Sequence, residues 1–240
     1  MKLSNIIVTG DLHNEFDQLN TLIANRIHYG LEMVICCGDF GFWPKVKWAK
    51  PMEFIKPKNV KVLWCDGNHE NHWQLKLRES DEIVKNVIYM PRGSHITLSD
   101  GRNVLFMGGA DSIDKDARML GIDWFPDEVI SMSDMVDLPD INIDIVISHT
   151  CPYELTDKML EYNPYKIGDP STHALQIILE KYKPKLWYFG HWHVNKTFYL
   201  QYTDTVFYAL NDVPNTFWWR WLPEKGAEHN GIDKTRAIDG

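Results

Sequence analysis

Val62–Glu70 reads VLWCDGNHE, an apolar run that stops at an acid and a glycine and then delivers an amide, an imidazole and a carboxylate in succession. A short apolar run bounded by turn residues reads as a buried strand, which places Asp66 to Glu70 at that strand's carboxyl end. The same grammar recurs on both sides. Apolar runs extend from Asn5 to Val8, Met33 to Cys37, Val60 to Cys65, Val104 to Met107, Ile143 to Ile147 and Leu186 to Phe189. Between them lie stretches of helical spacing: Glu15 to Tyr29 carries Phe16, Leu19, Leu22, Ile23 and Ile27, and Thr172 to Tyr182 carries Ala174, Leu175, Ile177, Ile178 and Leu179. Strands alternating with helices predict an α/β fold.

The bulk composition fits one globular domain: 240 residues, 44% apolar and 24% charged. We expect residues 1–223 to form that domain and the polar, Gly-containing stretch 224–240 to be a loose tail or an arm that packs on a partner. The opening MKLSNIIVTGD has neither an extended apolar core nor a cleavage site, so the expectation is a soluble, cytoplasmic protein with no membrane partner. Cys36, Cys37, Cys65 and Cys151 include no C-x-x-C pair and read as reduced thiols in or near the core. A net charge of −8 disfavours long duplex nucleic acid, whose binding requires many phosphate-neutralising cations.

Nearly every metal-capable residue comes directly after a strand-like run. IIVTG precedes Asp11 and His13, VICCG precedes Asp39, VLWCDG precedes Asn68 and His69, DIVIS precedes His149, and LWYFG precedes His191 and His193. Ligands of α/β sheets bind outside the carboxyl ends of the strands, so distant segments can deliver these groups to one place. Carboxylate, amide and imidazole donors suit manganese first, with iron, zinc or magnesium as alternatives. Each piece alone has an ordinary reading, as a turn, a loop or a hydrogen-bonded histidine; the ordered set carries the weight. His28, His72, His95, His173 and His229 fit no such position and read as structural or solvated.

The series Asp11-x-His13, Gly38-Asp39, Gly67-Asn68-His69-Glu70, His149 and Gly190-His191-x-His193 resembles the signature of the calcineurin-like metallophosphoesterase superfamily. The resemblance implies two packed sheets flanked by helices and a phosphoester hydrolase with two divalent ions. It implies Asp11, His13, Asp39 and His193 on one ion, Asn68, His149 and His191 on the other, and Asp39 bridging. Two neighbouring ions lower the pKa of a shared water, so that hydroxide attacks phosphorus in line near neutral pH. His69, at the motif's non-ligand position, is the expected acid for the departing oxygen. Glu70 reads as a helix-start acid complementing a dipole.

The chain departs from the protein-phosphatase branch of that superfamily. Where that branch has an acid and an arginine after the second motif, this sequence has Phe42 and Trp43, so a protein phosphatase is disfavoured and the partner that orients His69 is unassigned. Phe40, Phe42 and Trp43, with Lys45 and Lys47, are either a pocket wall that stacks a base and meets phosphate or ordinary packing and solvated lysines. Arg118 is either a bidentate phosphate clamp or a surface ion pair, ahead of a helix expected near Pro126. TFWWRW, with Trp218, Trp219 and Trp221, is expected to fill core or cover a sheet edge. The substrate expected is a small phosphorylated compound or nucleotide, a monoester or diester. A nuclease acting on single strands or ends, and a non-catalytic binding scaffold, are the rival readings.

Overall fold

The computed structural model describes residues 4–43, 47, 49–165 and 168–227. Twelve strands are present among them: β1 (Ile6–Thr9), β2 (Met33–Cys36), β3 (Lys61–Trp64), β4 (Glu82–Val84), β5 (Val87–Tyr89), β6 (His95–Thr97), β7 (Asn103–Met107), β8 (Ile145–Ser148), β9 (Leu186–Phe189), β10 (Lys196–Tyr199), β11 (Val206–Ala209) and β12 (Trp219–Trp221). The α-helices are α1 (Phe16–Arg26), α2 (His72–Lys76), α3 (Thr156–Leu160) and α4 (Ser171–Tyr182).

The strands form two six-stranded sheets, ordered β12-β1-β2-β3-β5-β4 and β10-β11-β9-β8-β7-β6. In each sheet four parallel strands lie at the centre and an antiparallel strand closes each edge. Side-chain alternation along the strands divides the core into three layers. Val8, Ile35, Leu63 and Cys65 of the first sheet meet Val104, Phe106, Ile147 and Tyr188 of the second in the middle layer. The opposite faces of β1, β2 and β3 take Ile7, Val34, Cys36, Val62 and Trp64 to α1, which buries Phe16, Leu19, Leu22 and Ile23. Met107, Val146, Trp187 and Phe189 likewise meet Leu175, Ile178 and Leu179 of α4. Burying each of these helix side chains contributes roughly 1.5–3 kcal/mol, which is what fixes the helices on the sheets.

This is the α/β architecture expected: a two-sheet sandwich flanked by helices. All four cysteines are buried and outside any disulfide. Trp219–Trp221 forms the edge strand beside β1, with Trp221 in the core and the Arg26 guanidinium 4.8 Å from the Trp219 ring. Among the described residues no helix is long and apolar enough to cross a membrane.

Two expectations require correction. The helix expected near Pro126 is a single 3-10 turn, Pro126–Glu128, because Glu128 turns inward and is spent on buried hydrogen bonds. Glu70 is not a helix-start acid. It is buried, its two oxygens accept the Gly41 and Gly67 amides, and the side chain that caps α2 is Asn71. Lys45 and residues 228–240, including His229 and most of the expected tail, lie outside the described residues.

Candidate metal centre

The carboxyl ends of β1, β2, β3, β8 and β9 point to one edge of the sandwich, and the loops beyond them are stitched together by backbone hydrogen bonds. The amides of Leu12 and His13 donate to Asp39 O at 3.0 and 2.7 Å, tying the first loop to the second. Gly109 N donates to Asp66 O and Gly190 N to His149 O, both at 2.9 Å. The first of these bonds joins the two sheets through the turn after β7 and the turn after β3. Two glycines have a steric reason to be there. A Cβ at Gly67 would lie 2.1 Å from Asp39 Oδ1, and one at Gly190 would lie 1.9 Å from Asp11 Oδ1.

All seven expected ligands converge. Asp11 Oδ2 is 3.1 Å from His193 Nε2 and 3.8 Å from His13 Nε2, and the two imidazole nitrogens are 3.4 Å apart. Asp39 faces both ways: Oδ1 is 3.4 Å from His149 Nε2, and Oδ2 is 3.9 Å from His13 Nε2. Asn68 Oδ1 lies 3.0 Å from both His149 Nε2 and His191 Nδ1. Asp11–His13–His193 and Asp11–Asp39–His149 each bring their donor atoms within 4.8 Å of one another. His13, Asp39, His191 and His193 hold φ of 45°, 44°, 62° and 54°. Such left-handed backbone costs ~1–3 kcal/mol per non-glycine residue and is retained where the surroundings enforce it, commonly at functional sites.

The donor chemistry fits cations. His149 Nδ1 lies 2.9 Å from Cys37 O, which only accepts, so Nδ1 carries a proton. When the ring is neutral, the Nε2 lone pair then faces Asn68 Oδ1 and Asp39 Oδ1, and three electron-rich atoms meet around one point. A proton or a metal ion must relieve that arrangement. Burial opposes charge on His149, yet the Asp39 and Asp11 carboxylates outweigh it and hold its pKa up to about 9. Burial alone would raise Asp11 and Asp39 as well; the facing imidazoles, His149 foremost, hold both below the ordinary carboxylate range.

His69 stands beside this group, with Nε2 3.9 Å from Asp39 Oδ2 and its backbone N donating to Asp39 Oδ1 at 2.9 Å. Arg118 Nη2 lies 3.1 Å from His69 Nε2. A guanidinium only donates, so Nε2 is the unprotonated nitrogen in this arrangement. Burial, opposed by Asp39 and reinforced by Arg118, pushes the His69 imidazole down to about 4. The side chain that orients His69 is thus Arg118, which also reaches Ser112 Oγ at 3.2 Å and Asp114 at 2.7 Å. Trp43 Nε1 donates to the His69 carbonyl, so this ring supports the His69 loop.

Phe40 is no part of a nucleobase platform. Phe40 is fully buried and stacked on Trp64 at 4.8 Å, and half-buried Phe42 packs against the edge of the same layer with its ring 5.9 Å from Trp64. Lys47 is exposed to solvent.

Two supporting groups were missed in the sequence. Asp66 is buried beneath the β3 loop, where it accepts Arg92 Nη2 at 2.7 Å and the Tyr89 hydroxyl at 2.9 Å. Glu128 accepts Ser112 N at 2.6 Å and Ser112 Oγ at 2.9 Å, and burial pushes its carboxyl up to about 7. An acid directly after the apolar run VLWC was the one available signal for Asp66. For Glu128 there was none.

Residues 4–195 match the calcineurin-like phosphoesterase family. Among solved structures, the phosphopantetheinyl hydrolase (PptH) from Mycobacterium tuberculosis superposes with a TM-score of 0.58 at 13% identity, covering 94% of this chain and 98% of that one. TT1561 of Thermus thermophilus superposes with a TM-score of 0.55 at 15% identity, covering 86% and 88%. Identities this low show a shared fold and nothing finer. No curated protein matches by sequence. With the family's sequence pattern spanning most of its length and its metal-capable residues gathered at one sheet edge, the chain belongs to the calcineurin-like phosphoesterase family of phosphoester hydrolases.

Proposed function

We propose that the chain hydrolyses a phosphoester of a small phosphorylated compound or nucleotide at a pair of divalent ions. Asp11, His13, Asp39 and His193 would hold one ion, and Asn68, His149 and His191 the other, with Asp39 common to both. The observation that carries this reading is the two-way placement of Asp39, whose Oδ1 faces His149 at 3.4 Å and whose Oδ2 faces His13 at 3.9 Å. When bound, two such ions supply Lewis acidity and a nucleophile that is active near neutral pH. Oxygen and nitrogen donors without a thiolate suit manganese, with iron, zinc or magnesium as alternatives.

The protein's own groups handle phosphate and the proton. Arg118, fixed beside His69, offers a fork of donors to phosphate oxygens. Turning toward a phosphate would release His69 Nε2 from the guanidinium. A proton then loaded on that nitrogen is placed to pass to the departing oxygen. Phosphate capture and the proton-carrying state of His69 are in this way linked. The net charge of −8 supports a small substrate over a long polyanion.

The test is a turnover screen with manganese against nitrophenyl phosphate, bis-nitrophenyl phosphate, cyclic nucleotides, dinucleotides and labelled oligonucleotides. Hydrolysis of the small esters or nucleotides, abolished in Asp39→Asn, is the expected result. Degradation of oligonucleotides alone, with steep salt dependence, would move the assignment to a nuclease. Metal uptake with no turnover of any ester would make the chain a binding scaffold.

A further inference from the structure

Ser112 sits at the meeting point of three side chains, Asn68, Arg118 and Glu128, and its hydrogen bonds have only one consistent direction. Asn68 Nδ2 reaches Ser112 Oγ at 3.0 Å and Arg118 Nη1 reaches it at 3.2 Å. Both nitrogens are donors, so they occupy the two lone pairs of the hydroxyl. The single hydroxyl proton is left for Glu128 Oε2, 2.9 Å away. Glu128 Oε1 accepts the Ser112 amide at 2.6 Å and Trp124 Nε1 at 3.2 Å. The carboxylate therefore receives three donors, and Ser112 is saturated. Glu128 is itself held by its backbone: Arg92 Nη2 donates to Asp127 O and Glu128 O, both at 2.9 Å, and Arg92 Nη1 donates to Val129 O at 2.8 Å.

An amide can present either its oxygen or its nitrogen to a given point, and only the oxygen binds a cation. Ser112 takes the nitrogen end of Asn68. The oxygen end is thereby committed to the space between His149 and His191.

We infer that Glu128 and Ser112 are positioning residues: the carboxylate fixes the direction of the Ser112 hydroxyl, which in turn holds Asn68 oxygen-first toward its ion and Arg118 beside His69. This inference rests on the dimetal reading of the proposed function. Neither residue touches the reacting atoms. Removing the hydroxyl frees the Asn68 amide to turn and lets the Arg118 fork drift, so one ion and the phosphate grip suffer together while the Asp11–His13–His193 group keeps all its ligands.

The experiment is calorimetric titration of metal-free protein with manganese, run on wild type, Ser112→Ala, Ser112→Thr and Glu128→Gln. Wild type should take up two ions in separable events. Ser112→Ala should weaken one event on the order of 10- to 100-fold, the usual cost of deleting a group that orients a ligand, and leave the other unchanged. Ser112→Thr, which keeps the hydroxyl, should restore it. Glu128→Gln, which turns one acceptor into a donor against Ser112 or Trp124, should resemble Ser112→Ala. A merely structural role would move both events alike or neither, and either result in Ser112→Ala and Glu128→Gln overturns the inference while leaving the dimetal centre intact. Fewer than two ions in the wild type would overturn the dimetal reading, and this inference with it.

Discussion

Replacing Arg92 by methionine removes the guanidinium that pairs with a carboxylate shut away from water. Asp66 is 1% exposed and accepts Arg92 Nε at 2.9 Å and Nη2 at 2.7 Å, with Tyr89 OH at 2.9 Å as a further partner. The same guanidinium satisfies the carbonyls of Asp127, Glu128 and Val129 and contacts Asp134 at 3.1 Å. Methionine fills much of the volume, so the loss is electrostatic. Breaking one side of a buried pair costs about 3–5 kcal/mol, and at ~2–4 °C per kcal/mol for a chain of this size the melting temperature should fall by roughly 6–20 °C.

The pH dependence separates this cause from a packing defect. In the wild type, burial raises the Asp66 carboxyl but Arg92 and the other partners overcome it and hold the group below its ordinary value. Its stabilisation is therefore present above the unfolded pKa and fades as pH falls through the lower folded one. Without Arg92, burial prevails and the folded pKa rises above the unfolded value, so the penalty grows with rising pH. Scanning calorimetry of metal-free protein should show a wide gap between variant and wild type at pH 7 that narrows below about pH 4. A gap of the same size at both pH values, or no gap, would refute the reasoning.

Asp39→Asn should lose at least one bound ion, measured by elemental analysis of gel-filtered protein, and all measurable turnover, because Asp39 faces both His149 and His13. His69→Gln should retain both ions yet lose far more activity on alkyl phosphoesters than on nitrophenyl esters, whose leaving group needs little protonation; equal losses would remove the acid role. Arg118→Ala should forfeit a charge-assisted contact of about 2 kcal/mol, roughly a 30-fold rise in KM for a phosphoester, with inhibition by inorganic phosphate weakened in parallel. Gly190→Ala places a Cβ 1.9 Å from Asp11 Oδ1 and should reduce manganese affinity in calorimetry; wild-type affinity would show that the loop gives way easily.

Strands β1, β2, β3, β7, β8 and β9 were legible because they are buried on both faces and read as continuous apolar runs, as IVIS in β8 and LWYF in β9 do. Their order along the chain already placed Asp11, Asp39, Asn68, His149, His191 and His193 at strand ends. The edge strands β4 and β6 and the neighbouring β5 are three residues long with mixed burial, too short to leave a period. For Phe40 and Phe42 the sequence left pocket wall and packing both open, because position next to a ligand does not decide which way a side chain points; in the fold Phe40 stacks on Trp64 and half-buried Phe42 packs beside it. Glu70, Asp66 and Glu128 escaped for a shared reason. A buried acid is recognised by its donors, and those donors, the Gly41 amide, Arg92 and Ser112, come from other loops that meet it only after folding. Local pattern carries strands and helices, whereas the tertiary hydrogen-bond network is written in pairs that no window along the chain contains.

The decisive measurement is anomalous X-ray scattering from crystals grown with manganese. Two peaks should appear, one ringed by Asp11, His13 and His193 and one by Asn68, His149 and His191, with the Asp39 carboxylate between them. A single peak, or ions bound away from Asp39, would contradict a shared-aspartate dimetal centre and the hydrolysis built on it.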